Sequence, residues 1–284
     1  MKKQSSFYEI KYQKTHFYSS AQIDCVEIAY LCKNDREMNI KGQNIFLKGV
    51  RNEHIPQKPE DFPFTLPVVR NLTTLEFNKS VTYIVGENGS GKSTLLEAIA
   101  TILNLNPEGG SRNFNFSTWE THSRLYEDLR PIRADLSYRN AFFFRAESFY
   151  NVASEVDRLQ SEDGRMLASY GGRSLHEQSH GESFISLVMN RLRNRGLYIF
   201  DEPEAALSYT NQLRFLVWMK DAVAAGSQVI IATHSPVILS FPDAEILVID
   251  DGRLIPTDYE DSYIYRDMLS FIMNRNMIIN ELFR

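Results

Sequence analysis

The segment Gly86–Ser93, Gly-Glu-Asn-Gly-Ser-Gly-Lys-Ser, follows the pattern GxxxxGK[ST] and constrains the fold more than any other part of the chain. The apolar segment Val81–Val85 precedes it, and apolar residues at helical spacing follow it from about Lys92 to Leu103. In this context the glycines let backbone N–H groups surround a phosphate, and the helix N-terminus adds positive potential. The pattern predicts a phosphate-binding loop (P-loop), in which Lys92 contacts the β- and γ-phosphates and Ser93 holds Mg²⁺. The candidate nucleotide-binding residues are Gly86, Glu87, Asn88, Gly89, Ser90, Gly91, Lys92, Ser93 and Thr94.

Two further apolar segments end in side chains that suit phosphate chemistry. Leu197–Phe200 is followed by Asp201 and Glu202, and a strand predicted at Gln228–Thr233 is followed by His234. Because the carboxyl ends of parallel strands meet at one sheet edge, we expect these side chains to lie beside the P-loop. Asp201 is predicted to bind Mg²⁺, Glu202 to orient the attacking water, and His234 to contact the γ-phosphate.

Strands separated by segments of helical length predict βαβ units and a mainly parallel sheet. The predicted strands are 45–50, 141–144, 197–200, 228–233 and 244–249, and the predicted helices are 92–103, 182–193 and 212–225. A proline cluster between residues 56 and 67 predicts a surface loop that leads into an edge strand near Val68–Arg70. Leu72–Phe77 and Val81–Val85 are predicted to pair as a hairpin.

Composition and charge exclude several classes of protein. The chain has 284 residues, of which 43% are hydrophobic and 24% are charged, so it is not disordered. A net charge of -5 argues against a generally basic nucleic-acid surface, although a local basic groove stays possible. Arginines between residues 124 and 139 alternate with acids, which is more typical of a solvated face than of a DNA groove.

The sequence also predicts the compartment. Cys25 and Cys32 fit neither a disulfide framework nor a zinc cluster, so we expect free thiols in a reducing environment. Every apolar run is far shorter than the roughly 18 residues that a membrane helix needs. The N-terminus lacks the apolar core of a signal peptide. These features predict a cytoplasmic protein without a membrane partner.

Two interpretations overlap near residue 180. Ser179-His180-Gly181-Glu182 precedes a predicted helix and resembles the signature motif of ATP-binding-cassette (ABC) ATPases, with His180 in place of the usual first glycine. The segment 176–180 also reads HExxH, a pattern of zinc metallohydrolases that requires both histidines on one helix. The glycines at 171, 172 and 181 disfavour that helix, and Ser183 breaks the longer zinc pattern. We therefore favour the signature interpretation.

The order of P-loop, signature, acidic strand end and histidine resembles an ABC ATPase head related to SMC and RecF proteins. More closely, the chain resembles small soluble bacterial ATPases of the AAA-family group. The segments that carry this resemblance are 85–100, 144–149, 174–184 and 201–208. It implies an α/β P-loop NTPase fold with a mainly parallel central sheet, antiparallel N-terminal strands and a helical signature subdomain. It further implies an N-terminal extension at 1–44 and an ATPase domain at 45–284, with the helical insert at about 104–195.

The resemblance assigns roles to individual residues. By this resemblance, residues 86–94 correspond to the Walker A motif, and Asp201 and Glu202 correspond to the Walker B pair. Residues 205–208 correspond to the D-loop, and His234 corresponds to the switch histidine. No glutamine occupies the expected Q-loop position, so Glu147 is our candidate for the Mg²⁺-side contact, with a salt bridge to Arg145 or another local arginine as the alternative. The aromatic residue that stacks on adenine stays open among Phe62, Phe64 and Phe77.

The resemblance implies that two chains sandwich ATP and Mg²⁺ head to tail. Each ATP would lie between Lys92 of one chain and Ser179, His180, Gly181 and Glu182 of the other, and its hydrolysis would open the dimer. We expect an ATPase that acts on DNA or a partner protein. The alternatives are a slowly hydrolysing ATP-gated switch that controls an effector in bacterial defence and, less favoured, the ATPase subunit of a transporter.

Overall fold

The structure of the protein is a computed structural model, which describes residues 44–53, 61–110, 123–149, 154, 180–192 and 195–284. Residues 1–43, nearly all of the predicted N-terminal extension, lie outside this part. Residues 150–168 also lie outside it, except for Ser154. No helix in the described ranges is long and apolar enough to cross a bilayer.

The described residues contain short strands and helices that largely alternate. The strands are β1 (Leu47–Asn52), β2 (Thr74–Glu76), β3 (Val81–Val85), β4 (Leu129–Arg133), β5 (Asn140–Arg145), β6 (Gly196–Asp201), β7 (Gln228–Ala232), β8 (Glu245–Asp250) and β9 (Arg253–Pro256). The α-helices are α1 (Pro67–Arg70), α2 (Lys92–Ile102), α3 (Leu125–Asp128), α4 (His180–Arg191), α5 (Tyr209–Ala224), α6 (Pro236–Leu239) and α7 (Tyr263–Leu282).

A six-stranded sheet in the order β5-β6-β7-β3-β8-β9 forms the centre of the fold. The first five strands are parallel, and β9 pairs antiparallel with β8 at one edge. Every residue of β3, β6 and β7 is buried. Strands without an exposed face suit a parallel sheet covered on both sides, which explains their continuous apolar sequences. The predicted parallel sheet is confirmed.

A second, three-stranded antiparallel sheet has the order β2-β1-β4. It is joined to the central sheet through the fully buried side chain of Gln228, at the start of β7. The Oε1 atom of Gln228 accepts hydrogen bonds from the backbone N–H groups of Phe46 and Leu47, each at 2.9 Å. Its Nε2 atom donates to the Leu47 carbonyl at 2.9 Å. One buried amide therefore satisfies three backbone groups at the start of β1.

Apolar clusters cover the two faces of the central sheet. On one face Phe184 of α4 and the α5 residues Phe215 and Trp218 pack on Phe200 of β6. On the other face α2 and the three-stranded sheet pack through residues such as Leu96 and Val50. The P-loop helix is therefore held between two sheets, and α4 is held against the strand that carries Asp201.

Two sequence predictions in the N-terminal part are wrong. The segment Val68–Arg70 belongs to the one-turn helix α1, because Pro67 occupies its first turn, where a fixed φ favours a helix. The predicted hairpin does not form, since β2 pairs with β1 whereas β3 lies between β7 and β8. The two strands also differ in burial, because the end residues of β2 are exposed whereas every residue of β3 is buried.

The range predicted for the helical insert, about 104–195, contains strands of both sheets. Within it β4 completes the three-stranded sheet, and β5 forms an edge of the central sheet. The described helix with the length and apolar face expected of the insert is α4. The predicted helix 182–193 corresponds to it, with both ends two residues earlier in the structure.

Candidate nucleotide site

The strand order brings the predicted site residues to one edge of the central sheet. In the β5–β6 register Arg145 lies opposite Asp201, and in the β6–β7 register Asp201 lies opposite Ala232. Strand β7 in turn pairs with β3, which leads into the P-loop. Because these strands are parallel, their carboxyl ends converge, as the sequence analysis predicted.

The P-loop wraps around its own lysine. Gly89 and Gly91 have φ values of 78° and 100°, a left-handed conformation that favours glycine. A Cβ atom on Gly91 would lie 2.7 Å from the Val68 side chain, so α1 packs directly on the loop. Lys92 is only 4% exposed, and its Nζ atom donates to the Gly86 carbonyl at 2.8 Å and the Glu87 carbonyl at 3.0 Å. The ammonium therefore lies at the centre of the loop.

Burial lowers the pKa of Lys92, and the negative charges of Glu202, Asp201 and Glu204 oppose that shift. These three carboxylates follow one another at the end of β6. The lysine and the acidic strand end therefore form one electrostatic unit although they lie more than 100 residues apart in sequence.

Ser93 and Asp201 provide a pair of oxygen atoms suited to Mg²⁺. The Ser93 hydroxyl donates to Asp201 Oδ1 at 3.0 Å. Burial raises the pKa of Asp201 to about 7, against the opposing effects of Arg145 and the Ser93 hydrogen bond. A hydroxyl and a carboxylate at this separation are hard oxygen donors of the kind that Mg²⁺ selects, usually together with phosphate oxygens and waters. The donor set therefore fits the predicted metal.

Arg145 is a member of the site for which the sequence predicts only a salt bridge to Glu147. Its guanidinium pairs with Glu97 of α2 at 2.7 Å, with Glu147 at 3.4 Å and with Asp201 at 3.8 Å. Since Glu97 is buried on the P-loop helix, Arg145 joins that helix to the ends of β5 and β6. The available signal was its position directly after the apolar run of β5.

Glu147 lies close to the Ser93–Asp201 pair. It lines a cavity together with Ser93, Arg145, Asp201 and Glu202. Its side chain is 82% exposed and contacts Arg145 at 3.4 Å, which is the salt bridge given above as the alternative to a Mg²⁺ contact. Both roles place it at the same edge of the site.

Glu202 and His234 face each other across the ends of β6 and β7. Glu202 has a left-handed backbone conformation, with φ 49°, at the turn that follows β6. Its Oε1 atom lies 3.6 Å from His234 Nε2, which is buried and accepts or donates no hydrogen bond among the described residues. Burial lowers the pKa of His234, the charge of Lys92 lowers it further, and Glu202 opposes both. The surroundings therefore favour the neutral form of the imidazole.

The residues of the signature motif are only partly described. Ser179 lies outside the described residues, as do residues 176–178 of the HExxH pattern. His180 is the first residue of α4, and Glu182 is exposed in its first turn. A Cβ atom on Gly181 would lie 3.0 Å from the Ala206 carbonyl, so α4 begins against the loop that follows β6. Among the described residues, His, Cys, Asp and Glu side chains form no cluster of three that could hold a metal.

The three candidate aromatic residues have different surroundings. Phe77 is 2% exposed in the core, and Phe64 is half-buried against the same cluster. Phe62 is 62% exposed and lines a cavity with Lys92, Thr94 and Glu202. Of the three, Phe62 therefore has a free ring face beside the P-loop.

Two family models match overlapping parts of the chain. A family model described as an AAA domain matches residues 63–184. A second model, described as “AAA domain, putative AbiEii toxin, Type IV TA system”, matches residues 168–240.

Curated relatives are ATP-binding proteins of the ABC type. The cytochrome c biogenesis ATP-binding export protein CcmA of Rhodopseudomonas palustris is 28% identical over 54% of this chain and 77% of its own length. An uncharacterized ABC transporter ATP-binding protein of Haemophilus influenzae is 28% identical over 62% of this chain and 72% of its own length. Among solved structures, the SMC head domain from Thermotoga maritima is 17% identical over 75% of this chain and all of its own length, with a TM-score of 0.38.

The matched domains extend from the loop before the P-loop to the segment after His234, and so include every described strand end of the site. The P-loop, the acidic end of β6 and the ABC-type relatives lead to the same identification. The chain is an ATP-hydrolysing P-loop enzyme that is similar to ATPases of the ABC type.

Proposed function

We propose that the chain binds ATP with Mg²⁺ at the P-loop edge of its central sheet and hydrolyses it in a head-to-tail dimer, as a cytoplasmic engine that acts on DNA or a partner protein. The observation that carries the site is the hydrogen bond between Ser93 and Asp201, with the Glu202–His234 pair alongside it. Residues 45–284 form the ATPase domain of this proposal, with a helical insert that includes α4.

Each residue has a defined task in hydrolysis. Lys92 and the backbone N–H groups of the P-loop hold the β- and γ-phosphates. Ser93 and Asp201 hold Mg²⁺, which supplies charge stabilisation to the phosphate oxygens when it is bound. Glu202 orients and polarises the attacking water from the end of β6, and neutral His234 contacts the γ-phosphate from the end of β7. Positioning and charge stabilisation account for catalysis of this reaction, so the precise placement of these groups determines the rate.

Phe62 is the residue that we propose to stack on adenine. Replacing it with alanine is expected to weaken ATP binding about fivefold to 150-fold, because base–aromatic stacking contributes about 1 to 3 kcal/mol per base. The kcat at saturating ATP should change little, since the ring carries no group that acts on the γ-phosphate or on the attacking water. Fluorescence titration with ATP measures the effect. Phe64→Leu is the matched control, and a larger loss of affinity in the control would assign the stacking role to Phe64.

The dimer is tested by complementation between two inactive variants. Ser179→Arg should leave ATP binding by the single chain nearly intact. In the proposed dimer, the signature residues of one subunit contact the ATP that is bound at the P-loop of the other subunit. The bulky cation would block the γ-phosphate position when the second subunit arrives, so ATP-dependent dimerisation and hydrolysis should both fail. Lys92→Ala should also be inactive in hydrolysis, but for the opposite reason, because it loses the lysine that binds ATP at its own P-loop.

A mixture of these two variants can assemble one dimer site with both Lys92 and Ser179 intact. Partial recovery of ATPase activity on mixing is therefore expected, whereas each variant alone is inactive. Sedimentation of the Glu202→Gln protein with ATP and Mg²⁺ tests dimer formation independently of coupling between the two sites. A protein that stays monomeric there, together with no recovery on mixing, rules out the sandwich.

A second candidate function is an ATP-gated switch that hydrolyses slowly and controls an effector in bacterial defence. The match of residues 168–240 to the AAA domain of a toxin family favours it. Turnover measured with and without DNA separates the candidates, since an engine on DNA should be stimulated whereas a switch should stay slow. The relatives that belong to transporters support a third assignment, as a transporter ATPase subunit, which co-purification with a membrane protein would favour.

A further inference from the structure

Glu204 joins the loops that follow β6 and β7. It lies in the short 3₁₀ turn Pro203–Ala206, two residues after Glu202. One oxygen of its carboxylate accepts a hydrogen bond from the backbone N–H of His234. The other oxygen accepts from the Thr233 hydroxyl at 2.8 Å. Both oxygens are therefore used on the loop that carries the histidine.

The same loop is held from its other side. Ser235 donates its backbone N–H to the Thr233 hydroxyl at 3.0 Å, and its own hydroxyl donates to Gln212 Oε1 at 2.6 Å. Gln212 in turn donates to the Leu207 carbonyl at 3.3 Å. The circuit closes on the segment 203–208, because Glu204 and Leu207 both belong to it. The backbone around His234 is thus tied at both ends to the loop that follows Glu202.

We infer that Glu204 is a positioning residue that sets the place of the His234 imidazole relative to Glu202 and the P-loop, an inference that rests on the proposed role of His234. A hydrogen bond from a backbone N–H to a carboxylate is charge-assisted and roughly twice as strong as a neutral one. With that bond the backbone of His234 is fixed, and its Nε2 atom lies 3.6 Å from Glu202 Oε1. Without that bond, the imidazole can still form the same hydrogen bonds, but its position relative to Glu202 and the P-loop is no longer fixed.

Glu204→Ala is expected to lower kcat about tenfold to 100-fold, while the affinity for ATP stays within about threefold of the wild type. Glu204→Gln should fall between the alanine variant and the wild type, because its amide oxygen can still accept from the His234 N–H. Steady-state kinetics give kcat and KM, direct titration gives ATP affinity, and the melting temperature reports the fold. If the alanine variant does not fold, the glutamine variant takes its place throughout.

Glu245 provides a matched control at the opposite end of the strands. Its carboxylate accepts from the Asn78 backbone N–H at 3.0 Å and from the Thr82 hydroxyl at 3.2 Å, the same two kinds of donor. Glu245→Ala is expected to leave kcat within about twofold of the wild type. A loss of kcat in this control equal to that of Glu204→Ala would make the effect a general one of stability and overturn the inference.

A double-mutant cycle with His234→Ala decides whether Glu204 acts through the histidine. In the His234→Ala background, Glu204→Ala should lower kcat by no more than about threefold, because the group that it positions is gone. An equal loss in both backgrounds, or no loss in either, overturns the inference while the role of His234 stands. If His234→Ala alone keeps the wild-type kcat, the proposed role of His234 fails, and the inference fails with it.

Discussion

Replacement of Glu202 by glutamine is expected to lower kcat for ATP hydrolysis by about 10²-fold to 10⁴-fold and to leave ATP binding nearly unchanged. The carboxylate acts on the attacking water in the transition state, whereas Lys92, which holds the phosphates, and Ser93, which holds Mg²⁺, remain. Glutamine keeps the length of the side chain and removes its charge. The variant should therefore accumulate in the ATP-bound form, which nucleotide retained after gel filtration measures.

Glu76→Gln is the matched control for that experiment, because Glu76 is an exposed carboxylate on β2, in the three-stranded sheet rather than at the P-loop edge. Its turnover should equal that of the wild type. Unchanged turnover in Glu202→Gln itself would show that another group orients the water. The contacts of Glu204 make it a poor substitute, since both of its oxygens bind the His234 loop, so Glu147 would be tested next.

The strand ends of the site could be predicted because burial on two faces leaves a clear sequence signal. Strands β3, β6 and β7 are continuous apolar runs, and each is followed directly by the residues that carry the chemistry. For the same reason the sequence alone predicts that Lys92, Asp201, Glu202 and His234 lie at one edge of the sheet. For these residues, the local sequence is sufficient for the prediction, together with the rule that the carboxyl ends of parallel strands meet at one edge of the sheet.

Elements that depend on distant partners could not be predicted in the same way. The strand β4 carries two arginines and a proline, and it forms because β1 offers a partner edge. The pairing of β2 depends on β1, which precedes it by more than 20 residues, rather than on the strand that follows it. Helix α7 lies beyond the last predicted strand and is mostly exposed, with apolar residues such as Phe271, Ile272 and Met273 at its surface.

The contacts of Arg145 and Glu204 belong to this second group. Arg145 gathers Glu97, Glu147 and Asp201 from three separate segments, and only the β5–β6 register brings it beside the metal-side aspartate. Glu204 reaches the β7 loop because β6 and β7 are neighbours in the sheet. The residues proposed to contact ATP could therefore be predicted from the sequence. The residues that position them could be identified only from the strand order.

Replacement of Lys92 by alanine is expected to weaken ATP binding by at least about 100-fold, because the phosphates lose a buried, charge-assisted donor that contributes about 1.5 to 3 kcal/mol for each hydrogen bond. Lys92 lies among the carboxylates of Asp201, Glu202 and Glu204, so its removal also leaves the triphosphate facing uncompensated negative charge. Lys79→Ala is the matched control, since Lys79 stands at the opposite end of β3 and pairs with Asp243 at the surface. Isothermal titration with ATP and Mg²⁺ measures both variants, and circular dichroism checks that each one folds. An affinity of Lys92→Ala within a few-fold of the control would contradict the P-loop assignment itself, because no other cation among the described residues lies within the loop.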